Sequence, residues 1–145
     1  MSTACANLVR VGDALRNMGI PNAFPENIND VISGFCVVGN DNTWYHFAIN
    51  EANGYFKVVM IAPYLEEALA IGELNFLQRL AAVNLKLLNG NFNYDKEAKR
   101  LMFKWVLPTA GFDFSPERIK ALVLLPAAMI VKYRDAFCGT KGNVA

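Results

Sequence analysis

The residues best equipped for chemistry are few and far apart. The chain carries one histidine, His46, and three cysteines, Cys5, Cys36 and Cys138. A single imidazole with no cysteine or carboxylate at metal-ligand spacing cannot close a four-ligand metal site, and no two cysteines stand at Cys-x-x-Cys spacing. A base needs a group to orient it, and His46 sits between Tyr45 and Phe47 in an apolar run, so a structural imidazole is expected there. Cys36 reads as a buried, inert thiol. An odd number of scattered cysteines implies free thiols in a reducing compartment. Asp95, Lys96, Glu97, Lys99 and Arg100 do bring acids and bases together. Their mixed signs in a polar stretch between two apolar runs describe a solvated turn better than an acid/base pair. Lys99, Arg100 and Lys104 beside Phe103 and Trp105 have the composition of a nucleic-acid strip, but the aromatic signature of an RNA-recognition sheet is missing. Gly34, Gly39, Gly54, Gly72 and Gly90 occur singly, and none opens a phosphate-cradling loop. The chemistry expected from these residues is therefore none: no catalytic residue, no metal, no cofactor and no nucleic-acid partner.

What the chain has in quantity is apolar surface. Of its 145 residues 54% are hydrophobic and only 19% charged, with a net charge of +1, so little charge is left to cover the outside and some apolar surface is expected to meet a partner. The length suits one domain, residues 1–145, with a flexible tail from about 139. "MSTACANLVRVGDALRNMG" is interrupted by Arg10, Asp13 and Arg16, which is unlike a signal peptide, and no run approaches the roughly 20 apolar residues that span a bilayer. A soluble, unprocessed, cytoplasmic protein with no membrane contact is expected.

The elements that must position these residues follow from periodicity. Leu8, Val11, Leu15 and Met18 recur at helical spacing, and Gly19 and Pro21 end that helix. Three strand-like runs follow, 31–38, 43–50 and 55–62, the last two joined by the tight-hairpin signal Asn53-Gly54. After Pro63 the period becomes helical. Leu69, Phe76, Leu80, Val83 and Leu87 mark one stripe of a long helix, about 65–88, that stops at Asn89-Gly90. A second hairpin pairs 91–94 with 101–107, and its stripe of Phe92, Phe103, Trp105 and Leu107 is expected to pack beneath the long helix. With Trp44, these aromatic residues are assigned to the core rather than to a binding surface. Ser115, Pro116 and Glu117 open a last helix, which Pro126 should kink. Asn84, on a mostly apolar helix, needs a hydrogen-bonding partner and is read as structural rather than as a ligand contact.

"LAAVNLKLLNGNFNYDKEAKRLMFKWVLP" followed by "FSPERIKALV" resembles the YbjN family and the related type III secretion chaperones. The features shared are Asn84 on a long helix, the hairpin Gly90, Phe92 and Asp95, a strand carrying Trp105 and ending in Leu107-Pro108, and the helix start Ser115, Pro116 and Glu117. The resemblance implies an α+β fold in the order helix, three-stranded antiparallel meander, long helix, β-hairpin, C-terminal helix. It also implies a non-enzymatic module that binds other polypeptides and often dimerises. Secretion chaperones are usually acidic and this chain is neutral, which favours the YbjN side, a regulatory or chaperone-like module. A dedicated secretion or effector chaperone, and a self-associating structural or assembly protein, are the alternatives.

A homodimer is expected from the helix itself. Leu74, Leu77, Leu85 and Leu88 point away from the stripe that covers the sheet, and few charges accompany them. The final helix folding over that side is the competing expectation.

Overall fold

The computed structural model describes residues 3–24, 31–37 and 42–139, with only the backbone described for 3–5. The side chain of Cys5, most of the "GNDN" break and the tail beyond 139 lie outside these residues. In chain order the elements are α1 (Thr3–Asn17), β1 (Asn22–Ala23), β2 (Val31–Val37), β3 (Trp44–Ala52), β4 (Tyr55–Ala62), α2 (Leu65–Leu69), α3 (Glu73–Lys86), β5 (Asn91–Asp95), β6 (Arg100–Pro108), α4 (Pro116–Lys132) and α5 (Arg134–Cys138). Six strands form one antiparallel sheet in the order β1-β2-β3-β4-β6-β5. The α+β class and the element order are those expected.

Strand periodicity builds a two-layer molecule. Residues Ile32 and Cys36 of β2, Tyr45, Phe47 and Ile49 of β3, Phe56, Val58 and Met60 of β4, and Leu101, Phe103 and Trp105 of β6 share one face and are buried. Alternate residues of the same strands point the other way. Onto the inner face pack α1, through Leu8, Val11 and Leu15, and α4, through Ile119, Leu122, Val123 and Ile130. Ser115 caps α4 by accepting a hydrogen bond from the Arg118 backbone, with Pro116 as its first residue.

Three expectations need correction. The helix expected over 65–88 is two helices, because Gly72 adopts φ 100°, a conformation open to glycine, and starts α3 afresh. The single last helix expected is two, α4 continuing past Pro126 and ending at Tyr133, where the backbone leaves helical geometry and α5 begins. The stripe of the second hairpin is covered chiefly by the C-terminal helices rather than by the helix before it. Trp105 and Phe103 line a niche with Leu125 and Met129 of α4, and Phe92 stacks on Phe137 of α5 at 5.0 Å and Tyr133 at 6.0 Å. Only β5 lies under α3, through the Phe76–Tyr94 contact at 5.0 Å.

Candidate functional site

Strand register creates a contact between a hydroxyl and an imidazole. His46 pairs with Phe35 across β2 and β3, which sets it diagonal to Ser33, and Ser33 Oγ lies 2.8 Å from His46 Nε2. The Phe35 ring stacks beside the imidazole at 5.0 Å. No carboxylate bonds to His46 among the described residues, and the pair sits between two neighbouring strands of the sheet. The geometry is that of a cross-strand hydrogen bond holding register, not of an activated serine. No group of three or more His, Cys, Asp or Glu among the described residues is placed to hold a metal ion.

The two described thiols, Cys36 and Cys138, are buried. Burial pushes Cys36 up to about 11 and, with the Glu67 carboxylate adding to the effect, Cys138 up to about 11. Both are thiols rather than thiolates at neutral pH, and thus poor nucleophiles. The turn after β5 is exposed throughout. Two of the acids and bases have partners: Asp95 Oδ1 accepts from the Ala98 backbone at 3.1 Å, and Lys96 pairs with Glu73 of α3 at 3.2 Å.

Two polar side chains on α3 organise the second hairpin and the chain end. Asn84 donates to the Phe92 carbonyl at 2.9 Å and accepts from the Phe92 N–H at 2.8 Å, occupying the outer edge of β5 as a neighbouring strand would. Gly90, in the loop between, passes so close that a Cβ there would lie 2.5 Å from the Phe103 ring. Arg79 is charged yet buried. It follows Phe76 by three residues onto the inner stripe and donates to the carbonyls of Phe137 at 3.1 Å and Gly139 at 2.7 Å, at the C-terminal end of α5. Its sequence signal was that three-residue spacing.

What the fold leaves open is apolar. Leu74, Leu77, Leu85 and Leu88 are 70, 40, 88 and 105% exposed, so α4 does not cover them. The second open surface is the outer face of the sheet, since the contacts of α1, α3 and α4 fall on the inner one. Phe35, Trp44, Tyr55 and Val106 are exposed there, with half-buried Ala48, Val59, Ile61 and Met102 between them. Trp44, expected in the core, is 58% exposed because its strand alternates the other way: Tyr45, Phe47 and Ile49 take the inner face. Trp105 shares parity with Leu101 and Phe103 and is buried.

No helix among the described residues is long and apolar enough to cross a membrane. No family model matches the chain, and no curated protein matches it. Among solved structures, it is similar to a chain of the crystal structure of the ExsC-ExsE complex, with 11% identity, TM-score 0.69, and coverage of 97% of this chain and 100% of that one. It is also similar to a chain of the HopA1-SchA chaperone-effector complex, with 12% identity, TM-score 0.55, and coverage of 94% and 97%. Likeness at such identity concerns the fold alone.

Proposed function

We propose that this protein is a non-enzymatic, chaperone-like module that binds a segment of another polypeptide on the open face of its sheet. The observation that carries the reading is the one-sided covering of that sheet: Phe35, Trp44 and Val106 are 47, 58 and 41% exposed on a face over which no described helix packs. Large apolar side chains left exposed on an uncovered face mark an interaction site. The fold shared with a chain of a chaperone-effector complex supports it. The finer assignment to a YbjN-type regulator rests on the hairpin Gly90, Phe92 and Asp95 and on the helix start at Ser115, while a dedicated effector chaperone would use the same face. Affinity capture from native lysate, with mass spectrometry, tests the reading: a partner should be recovered by the native chain and lost when Phe35→Glu and Val106→Glu are introduced together. Identical recoveries from the two would refute it.

Self-association is a second part of the proposal, and a separate observation favours it. Leu74, Leu77, Ala81 and Leu85 on α3, with Leu88 just past its end, are all exposed and are spaced three, four, four and three residues apart. The series reads the same in both directions about Ala81. Two α3 helices meeting antiparallel across a twofold axis would set Leu74 against the partner's Leu88 and Leu77 against the partner's Leu85, as an isologous contact requires. No charged residue interrupts the stripe.

A further inference from the structure

We infer that the segment bound by the open sheet face is acidic as well as apolar. This rests on the client-binding reading above and adds the chemistry of the client. The register places Lys57 opposite Val106 and Val59 opposite Lys104, so the two lysines are diagonal neighbours on adjacent strands β4 and β6. Ordinary sheet geometry sets such diagonal positions roughly 7–8 Å apart. Both point to the outer face, Lys57 exposed and Lys104 half-buried, and neither has an ion-pair partner among the described residues. Arg100 lies on the same face two residues before Met102 but directly opposite Asp95 of β5, whose Oδ1 also accepts from the Ala98 backbone, so the uncompensated charge is that of the two lysines. The other titratable side chains on the face are His46, hydrogen-bonded to Ser33, and the exposed phenol of Tyr55.

The face thus combines a largely apolar row, Phe35, Ile61 and Met102 about His46, with two lysines free of ion pairs, while the chain as a whole is close to neutral at +1. Two adjacent ammonium groups repel each other across a low-dielectric surface, and a carboxylate laid between them relieves both. An amphipathic segment with apolar residues on one side and Asp or Glu flanking them satisfies the row and the lysines together. A basic segment would add a third like charge.

Selection of random 16-residue peptides displayed on phage against the purified chain tests this. The enriched peptides should carry a net charge at least two more negative than the starting library. A synthetic member of the pool should bind the native chain at least tenfold more tightly than a Lys57→Glu, Lys104→Glu double variant, with the gap shrinking as salt rises. A Lys57→Gln, Lys104→Gln variant, which adds no repulsion, should fall between them, and unchanged far-ultraviolet circular dichroism should certify that both variants fold. An enriched pool that is apolar but without acidic bias, or undiminished binding to the double variant, overturns the inference and leaves client binding standing. Absence of any enriched peptide overturns both. Sedimentation of the chain with phosphatidylserine vesicles that an acidic peptide fails to compete off would assign the cations to a lipid surface, and overturns the inference as well.

Discussion

Asn84→Ala removes both hydrogen bonds to Phe92 at once and leaves a strand-edge donor and acceptor without partners. The expected cost is about 2–3 kcal/mol, read as a lowered denaturation midpoint. An unchanged midpoint would mean that water replaces the amide without loss. The two tryptophans make a sharper contrast. Trp105→Ala should cost about 3–5 kcal/mol by opening the space between β6 and α4, whereas Trp44→Ala, on the open face, should leave the midpoint within about 0.5 kcal/mol. The sequence announced one of these environments and hid the other. "LMFKWVLP" alternates cleanly, with Leu101, Phe103 and Trp105 against Met102 and Lys104, but "TWYHFAIN" carries aromatic residues at both parities, so no pattern tells which side of β3 is inside. Arg79 was hidden for a related reason. A long charged side chain on an apolar helix stripe looks misplaced until the α5 carbonyls that receive it are known, and these lie some 60 residues away.

At the scale of elements, the meander, the second hairpin and the Ser115 helix start were legible because each is fixed by local signals: alternation, turn residues and a cap. The break at Gly72 was missed because the apolar stripe continues in phase across it. The break at Tyr133 was missed because no glycine or proline marks it in the sequence. The leucine stripe of α3 was legible as an excess of apolar residues, and its exposure now makes a definite prediction. Leu77→Glu or Leu85→Glu should convert a dimer to folded monomers in solution, seen by light scattering as a fall to the chain mass of 16.1 kDa with circular dichroism unchanged. A native chain already at that mass at tens of micromolar would contradict self-association.

For the whole molecule, the buried thiols and Tyr64 give stability a definite pH dependence. Cys36 and Cys138 titrate near 11 when folded, against the usual value of 9.0, and burial pushes the Tyr64 phenol up in the same sense. Each group is raised above its unfolded value, so its contribution is fully present below about pH 9 and is lost as pH climbs through the folded values. Denaturation midpoints should be level from pH 7 to 9 as far as these groups are concerned, and fall from 9 to 11. A Cys36→Ser, Cys138→Ser variant should fall less steeply. The central claim, that the uncovered sheet face is where another polypeptide docks, is tested most directly by hydroxyl-radical footprinting of the chain with its captured partner. Phe35, Trp44 and Met102 stand on that face and are reactive side chains. The account predicts that all three lose reactivity when the partner is bound while exposed Leu125 on α4 keeps its own. Protection of Leu125 with Trp44 and Met102 unchanged would contradict it.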